Sequence, residues 1–516
     1  MPPYPSTHTE WVATLTAAIR NGAPFRGSSV EGAAMAEVPA AVIRTILTDP
    51  EVAEGDRGEL ELERVRIVGV LDLAHSSINR SVSLHDCEVA GLDLSYAKVA
   101  SLKATSSRVS FLTLTGANVT GSLDLKNLIA EGLISAQNMK VSGFLSLEGA
   151  RLLNPGIALK LDGAHVEGGT FLSKLVAKSA VEAQASQFDR QLDLTKATIE
   201  NPLGRALNLD RSRVGGHLHL NDVDIVGQVH ALGIEIDGQL NLAGSRIKAN
   251  EIGTGVGSFV LNGATVHQLL LRRCDPGLDL DLTAAKIDDL VLEPELSRRP
   301  TAGLRAAGWS LKALHGAQDS AALLIEWLDA LPHSAGWSRL SPQYSPQPWH
   351  ELADVLDRQG NPDLARQLRF EAAKRTTKQS SGRGWIWRHI YGIVAGYGYK
   401  PSRAAGGFVF AVLLGVILAV AAPEGFVLAS SSTPSDATTR EVTGATECDS
   451  TQSLYPCFDP ILVGGSAVLP AVATFQNGAW VAATPGLIWS FTVLKAVGWI
   501  FAALLLAAVT GLLRKT

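Results

Sequence analysis

Three histidines lie close together in the segment GHLHLNDVDIVGQVH, and imidazole nitrogen is a common zinc ligand. His217 and His219 are two residues apart, so a strand would place them on one face, and a chain that coils back would bring His230 near. No cysteine and no fixed set of carboxylates accompanies them. The segment therefore favours strand residues facing outward over a metal centre, and we expect no bound metal.

The segment EIGTGVGS superficially resembles a dinucleotide-binding loop through Gly253, Gly255 and Gly257. Its spacing is not G-x-G-x-x-G, and no strand–loop–helix unit surrounds it. No nucleophile elbow, phosphate-binding loop or H-E-x-x-H motif occurs in the sequence. The residues alone therefore predict no cofactor, leave any catalytic residue unknown, and favour a protein that is not an enzyme.

The chain has only four cysteines in 516 residues, which excludes a fold built on disulfides. Cys448 and Cys457 lie nine residues apart between two long apolar segments, where we expect an oxidising exterior, so we predict a disulfide between them. Cys87 and Cys274 instead occupy regularly spaced apolar positions. We expect them to be small buried side chains rather than reactive thiols.

Two apolar segments of the C-terminal quarter are long enough to cross a bilayer. Residues 404–423 contain no charge, and residues 486–513 contain only Lys495, an intramembrane charge that marks either a functional site or a snorkelling side chain. Basic residues flank the outer ends of both segments. The positive-inside rule then predicts a hairpin with both termini in the cytoplasm and an external loop at about 429–485.

Basic and aromatic residues alternate just before the first apolar segment, and residues 372–403 contain several cations. This position favours anchoring at the lipid surface over binding of nucleic acid. The residues that we expect to anchor the chain are Arg383, Trp385, Trp387, Arg388, Lys400 and Arg403.

A third apolar run, ILVGGSAVLPAVATF at 461–475, is too short to cross a bilayer comfortably. It suggests a re-entrant segment or one that lies on the membrane surface. Two spans with an apolar loop between them are also the outline of a simple channel.

The large N-terminal part of the chain has a five-residue periodicity in which large and small side chains alternate. One unbroken series is Val82, Cys87, Leu92, Ala97, Leu102, Ser107, Leu112 and Ala117. The motif L-x-L, followed by a small residue and then Val or Ile, recurs as LDLSYAKV, LTLTGANV and LNLAGSRI. A chain that turns inward every five residues forms four-sided coils, and stacked coils form parallel strands about 4.8 Å apart.

This periodicity resembles that of the pentapeptide-repeat proteins over roughly residues 65–292. The resemblance implies a right-handed quadrilateral β-helix, with bulges at insertions such as LLNPGIAL, and it implies no catalytic residue. The fold class that we predict is therefore mainly β: a parallel β-solenoid with helical caps, an α-helical segment and a two-helix transmembrane hairpin.

Helical patterns flank the solenoid. WVATLTAAIR and VPAAVIRTIL predict an N-terminal cap, and PQPWHELADVLDRQGNPDLARQLRFEAAKR predicts two helices that join at Gly360, similar to one tetratricopeptide-type unit. Leu352, Val355 and Leu356 should pack against Leu364, Leu368 and Phe370. The predicted order is a cap (1–60), the β-helix (61–295), a helical segment (296–380), a juxtamembrane segment (381–403), a first span (404–428), an external loop with an apolar re-entrant-like part (429–485) and a second span (486–513).

The whole arrangement, closing with GWIFAALLLAAVTGLLRK, is similar to a family of bacterial plasma-membrane proteins often labelled membrane-associated oxidoreductases. That label implies a redox activity with an unidentified cofactor. The residues favour a membrane-anchored scaffold that presents a protein-interaction surface in the cytoplasm. An oligomeric channel or pore gated by the β-helix is a further alternative.

The charge balance limits the expected partners. The formal net charge is −5, and acidic and basic residues nearly cancel along the repeats, so we expect neither nucleic acid binding nor a nucleic-acid mimic. The expected partners are membrane lipid, a protein on the β-helix and other copies of the chain.

Overall fold

The computed structural model describes residues 5–27, 35–49, 58–248, 258–275, 278–292, 303–316, 320–329, 345–379, 385, 388–389, 392–394, 396–428, 458–469 and 480–509. The chain forms two compact units, Met1–Leu368 and Arg369–Thr516. The first unit contains the repeats, and the second contains both long apolar segments.

The first unit is built around a parallel β-solenoid of about 11 turns, which confirms the predicted fold class. Its strands form two long sheets in which each strand pairs with the strand one coil further on. The first sheet comprises β1 (Phe25–Arg26), β3 (Leu60–Glu63), β5 (Ser77–His85), β7 (Lys98–Thr105), β10 (Asn118–Val119), β11 (Leu123–Asp124), β14 (Lys140–Val141), β15 (Leu145–Ser146), β18 (His165–Val166), β19 (Thr170–Phe171), β22 (Gln187–Phe188), β23 (Leu192–Asp193), β25 (Arg213–Val214), β26 (Leu218–His219), β28 (Glu235–Asn241), β31 (Thr265–Leu271), β33 (Lys286–Leu292) and β35 (Ser310–His315).

The second sheet runs along the other side of the solenoid. It comprises β2 (Ala36–Pro39), β4 (Val65–Asp72), β6 (Glu88–Asp93), β8 (Arg108–Val109), β9 (Leu112–Thr113), β12 (Ile129–Ala130), β13 (Ile134–Ser135), β16 (Arg151–Leu152), β17 (Ile157–Lys160), β20 (Val176–Ala177), β21 (Ala180–Glu182), β24 (Thr198–Asn208), β27 (Asp224–His230), β29 (Arg246–Lys248), β30 (Phe259–Val260), β32 (Asp279–Asp281) and β34 (Gly303–Arg305).

The large members of the five-residue ladder lie within strands, and its small members lie at the turns between strands. Every member of the series from Val82 to Ala117 is buried. Ala97 ends a four-residue turn, because its N–H donates to the carbonyl oxygen of Leu94 at 3.0 Å. Tyr96, just before it, has a φ of 56°, as the third residue of a type II turn requires. The small side chain therefore lies where the chain bends most tightly.

The polar residue within L-D-L closes the same turn from outside. The Asp93 carboxylate accepts hydrogen bonds from the Ser95 N–H at 2.9 Å and the Ser95 hydroxyl at 2.6 Å. Asp193 accepts in the same way from the N–H of Thr195 at 2.8 Å. An Asx turn of this kind mimics a backbone turn, which explains why the motif carries Asp or Asn between its leucines.

The predicted bulge at the insertion LLNPGIAL is present. The register shifts between Ile157 and Leu159, and the side-chain amide of Asn154 donates to the Ile157 carbonyl at 2.6 Å. The insertion is therefore absorbed by a one-residue shift, and β17 remains paired with β21 on both sides of it.

Helices close the N-terminal end of the solenoid, as predicted. They are α1 (His8–Arg20), which begins with a capping box between Thr7 and Glu10, and α2 (Ala40–Thr48). Val42, Ile43 and Ile46 of α2 are fully buried. The strands β1 and β2 lie in this segment as well and pair with β3 and β4, so the predicted cap also begins the sheets.

At the other end, the sheets continue past residue 295, the predicted limit of the β-helix. The added strands β34 and β35 place Trp309 in the interior, where a wide side chain replaces the small ones that carried the sequence signal. Trp309 packs edge-on against Trp327 of α3 (Ala321–Leu328), with ring centroids 6.1 Å apart.

Helix α4 (Gln347–Arg358) then lies along β35, the last strand. Side chains of α4 and of the next residue, Gln359, form hydrogen bonds with backbone groups at the outer edge of this coil. A further strand would otherwise pair with that edge. The pairs are Gln347 accepting from Gly308 N–H (2.9 Å) and donating to Trp309 O (2.8 Å), Glu351 accepting from Leu311 N–H (2.9 Å), Arg358 donating to Leu311 O (3.0 Å), and Gln359 accepting from Leu314 N–H (3.3 Å) and donating to Leu314 O (3.0 Å). The open edge is thereby satisfied without another strand.

The predicted helix pair is confirmed. After α4, Gly360 has a φ of 84°, and α5 (Pro362–Gln379) begins at the predicted proline. The boundary between the two units falls within α5.

The second unit contains α6 (Pro401–Ala421), α7 (Pro460–Val468) and α8 (Pro485–Val509). Short 3₁₀ turns precede and follow α6 at Gly396–Gly398 and Pro423–Gly425. Strands β36 (Phe426–Leu428) and β37 (Trp480–Ala482) pair antiparallel and join the end of α6 to the start of α8.

We expect Gln359→Ala to lower the free energy of unfolding by about 1 kcal/mol, because both backbone groups of Leu314 lose a partner. Full-length protein in detergent, unfolded by urea, gives this value as a lower midpoint with an unchanged slope. The matched control is Gln137→Ala, since the Gln137 amide makes no hydrogen bond within the described part of the chain. Equal midpoints for the two variants would show that the α4 side chains do not close the edge.

Candidate membrane-anchoring site

Two helices of the second unit are long and apolar enough to cross a membrane. They are Ser402–Ala421 and Pro485–Ala507, with mean hydropathies of 2.6 and 1.9, and are called the candidate spans below. Only 22% and 17% of their most apolar windows are buried, whereas the core helix of a soluble domain is mostly buried. Their exposed apolar side chains include Val409, Phe410, Leu413, Ile417, Val493 and Ile500.

The short helix α7 packs between the two candidate spans through small residues. Gly464 approaches α6 so closely that a β-carbon there would lie 2.5 Å from the carbonyl oxygen of Gly415. A β-carbon on Gly498 of α8 would lie 2.4 Å from the carbonyl oxygen of Val468. Glycine at these positions lets the helices meet backbone to backbone, which is the usual way in which membrane helices pack.

Helix α7 begins at one end of the hairpin and ends near the middle of the candidate spans. Val463 packs with Ala419, Phe426 and Phe491, near the end of α6 and the beginning of α8. Val468, the last residue of α7, packs with Ala411 and Leu494 near the middle of the candidate spans. A helix of this length, nine residues, rises about 14 Å, roughly half of a hydrocarbon core.

Aromatic rings cluster at the end of the hairpin where α7 begins. The ring centroid of Phe426 lies 5.1 Å from that of Phe458 and 5.6 Å from that of Phe491, and Phe458 lies 5.3 Å from Trp480. The cluster joins the β36–β37 pair, the start of α7 and α8 at one end of the hairpin. Aromatic residues are typical of membrane interfaces.

A second cluster, basic and aromatic, lies at the opposite end of α6. The Lys400 ammonium lies 4.3 Å from the ring centroid of Phe370, and the Arg403 guanidinium carbon lies 5.8 Å from it. Tyr397 contacts the same ring, with centroids 5.9 Å apart. Both distances place the cations within range of a cation–π attraction. The structure therefore brings together Lys400 and Arg403, two of the predicted anchoring residues.

The sequence predicts Phe370 as a packing residue of the helix pair. It does not predict that Lys400, Arg403 and Tyr397 all contact the Phe370 ring. The spacing from Phe370 to Lys400 is long, and no periodic pattern connects them. Burial raises the pKa of the neighbouring Tyr399, opposed by the charge of Arg369, so its hydroxyl stays neutral. A neutral phenol with an apolar ring suits a membrane interface.

The other predicted anchoring residues are only partly described. Trp385 is 43% exposed, and its ring centroid lies 4.7 Å from that of His389. Arg388 is exposed. Arg383 and Trp387 lie outside the described residues.

Lys495 lies at mid-length of the second candidate span, one residue from Leu494 and one turn from Gly498. Both of those neighbours pack against Val468, whereas Lys495 itself is exposed. Within the described residues its ammonium makes no hydrogen bond or ion pair. The charge is therefore on the surface of the hairpin at the level where α7 ends.

The cysteine predictions have separate outcomes. Cys448 and Cys457 lie outside the described residues, so their disulfide stays a prediction. Cys87 and Cys274 are free and buried, as predicted. Burial raises the pKa of each thiol to about 11, and the Sγ atoms face the carbonyl oxygens of Leu62 and Leu242 at 3.4 and 3.3 Å.

The histidine cluster does not converge. His217 and His219 lie together, with ring centroids 5.7 Å apart, but His230 belongs to β27 in the other sheet. Among the described residues, no group of three or more His, Cys, Asp and Glu side chains is arranged to hold a metal ion. The glycine-rich segment with Gly253, Gly255 and Gly257 lies outside the described residues.

The solenoid itself carries a groove of about 360 Å³ near its N-terminal end, over β4, β6 and β8. It forms where the register shifts between Ile67 and Val70, and Gly69 between them has a φ of 87°. Val68 and Val70 are half exposed beside it. A bulge of this kind interrupts the straight columns of side chains and turns two valines outward.

Charges of both signs line the groove. The Arg66 Nε donates to Glu88 at 2.8 Å, its Nη1 lies 3.5 Å from Glu37, and Arg108 donates to Glu131 at 3.0 Å. These ion pairs lie at the rim of the groove, and Val68 and Ala90 add apolar surface to its lining. Sequence periodicity did not reveal the groove, because it depends on the register break.

No protein-family model matches this chain, and no curated protein sequence matches it. The parallel β-solenoid is observed directly. The pentapeptide-repeat assignment and the oxidoreductase activity stay predictions from resemblance.

We expect stability to fall between about pH 9 and pH 11 because of the two buried thiols. Their pKa values are raised on folding, so they stabilise the folded state fully below the unfolded pKa and lose that contribution as the pH approaches 11. The expected loss is about 2 kcal/mol for each thiol. Urea unfolding at pH 8 and pH 11 measures it.

The comparison protein carries Cys87→Ser and Cys274→Ser, since Ser107 already fills the equivalent interior position one coil after Cys87. This variant retains the ionisation of every other group, so the difference between the two pH profiles isolates the thiols. Identical profiles would show that the thiols are not buried as described.

Proposed function

We propose that the chain is a membrane-anchored scaffold whose β-solenoid presents a protein-interaction surface on the cytoplasmic side. The observation that carries the proposal is the groove beside Val68 and Val70. Half-exposed aliphatic side chains between fixed charges of both signs are typical of a polar protein interface with an apolar centre. Its volume also falls in the range that binding pockets commonly have.

The closed ends of the solenoid support this assignment. Helices α1 and α2 lie at the N-terminal end of the solenoid, and α4 bonds the edge of β35 at the other end, which limits addition of a strand there. Contact with a partner is then left to the outer faces. On those faces the side chains of successive coils stand in register, and the groove interrupts them.

The hairpin supplies the anchor in this proposal. Its candidate spans expose apolar side chains, and aromatic clusters lie at both of its ends. Lys400 and Arg403 mark the end of α6 that faces the cytoplasm, whereas Glu424 and Asp459 lie near the other end. The basic end suits the anionic inner leaflet, so both termini are proposed to be cytoplasmic.

A photo-crosslinking amino acid at Val68 should capture a discrete protein in native membranes, and the captured protein should be reachable from the cytoplasmic face of inside-out vesicles. Adding Val70→Glu to the same chain should lower the yield at least tenfold, because a charge replaces an apolar contact. Immunoblotting for the chain measures the yield.

The matched control carries the same crosslinker at Leu203, which is 82% exposed on β24, several coils further along the same sheet. We expect no discrete product there. The same products from both positions, or no effect of Val70→Glu, would contradict a binding surface at the groove.

A further inference from the structure

Helix α7 enters the hairpin and does not cross it. Its first residues pack at the level of Phe426 and Phe491, and its last residue, Val468, packs at mid-length with Ala411 and Leu494. By Trp480 the chain is back at the starting end, because β37 pairs with β36. The described residues therefore place the start of α7 and Trp480 at one end of the hairpin and the end of α7 at its mid-length.

Non-helical backbone at mid-depth of a membrane is tolerated only inside protein or beside water. The C-terminal carbonyls of α7 lack partners within the helix and lie at that depth. Lys495 lies at the same level, one turn from Gly498, which contacts the Val468 carbonyl. Two features that are unfavourable in lipid therefore coincide at one depth.

Lys495 belongs to a continuous side of α8. The stripe Ile488, Thr492, Lys495, Trp499 and Leu506 follows helical spacing, and every member is exposed. The Thr492 hydroxyl donates to the Ile488 carbonyl at 2.7 Å within its own helix. Val493 and Ile500 lie on a different side, which is purely apolar.

An ionisable residue within a span normally faces a protein interior or a water-filled cavity. The apolar side of α8 with Val493 suits lipid, whereas the Lys495 ammonium within the stripe does not. A second copy of the chain removes the mismatch, because identical stripes facing one another enclose their polar residues.

We propose that copies of the chain associate through this stripe and enclose a water-filled path in which Lys495 selects small inorganic anions. The proposal goes beyond the scaffold function. It rests on the membrane-spanning hairpin proposed above and not on the binding surface of the solenoid. Rings of lysine are a known basis of anion selectivity. One Lys495 ammonium per chain gives such a path positive charge at the level where α7 ends.

Flux from liposomes tests the path directly. Full-length protein is reconstituted in neutral-lipid liposomes loaded with chloride, and chloride efflux is measured against potassium efflux. Wild-type protein should release chloride at least tenfold faster than protein-free liposomes. Lys495→Met should reduce that flux at least tenfold, and Lys495→Glu should shift the preference toward potassium.

Two controls separate the position of the charge from its presence. Val493→Met changes the lipid-facing side and should leave the flux unchanged. The double variant Lys495→Met with Val493→Lys has the wild-type charge on the other side, and we expect it to remain inactive. The proposal would be overturned if wild-type protein released chloride no faster than protein-free liposomes. It would also be overturned if wild type and Lys495→Met gave the same chloride flux.

Association is tested independently of flux, so that a poorly folded variant cannot be mistaken for a result. In a chain whose four native cysteines are replaced by serine, Thr492→Cys should form disulfide-linked dimers in membranes after mild oxidation. Val493→Cys should form far fewer. Equal yields at the two positions would contradict association through the stripe.

Discussion

Satisfaction of backbone hydrogen bonds is the constraint on which the rest of the structure depends. In the described coils of the solenoid, each strand bonds the strand one coil further on, and side chains such as Asp210 bond backbone N–H groups at the turns. The unpaired strand edges then lie at the two ends of the solenoid. At the C-terminal edge the side chains of α4 replace a missing strand, with Gln359 bonding both backbone groups of Leu314.

The second unit meets the same constraint with helices. The candidate spans bond their own backbone groups, as a segment in lipid must, and α7 packs against both of them. Glycines at 415, 464 and 498 allow this packing, because a side chain at any of them would meet backbone. The candidate functional features lie where the regular packing of strands or apolar helices is interrupted. They are the register shift at Gly69, the half-length of α7 and the charge of Lys495.

The sequence predicts the parts of the fold that are periodic. Inward positions every five residues indicate a coil, so the burial of Cys87 and Cys274 and the bulge at LLNPGIAL could be anticipated. Helical spacing and the Gly–Pro junction at Gly360 likewise predict the helix pair. The last coil could not, because Trp309 breaks the large–small alternation. The capping side chains of α4, the groove at Val68 and the Phe370 cluster were also missed. Each depends on contacts between residues far apart in sequence that no local pattern connects.

Hydrogen–deuterium exchange of the full-length protein in lipid nanodiscs tests the central claim most directly. If the side chains of α4 and Gln359 bond the backbone groups of the outer edge, the amides of β35 should exchange as slowly as those of β11, which lies inside the solenoid. The amides of α7 should likewise be as protected as those of α6. Rapid exchange in β35 or α7, at the rate of an open strand edge or a solvated helix, would contradict the account.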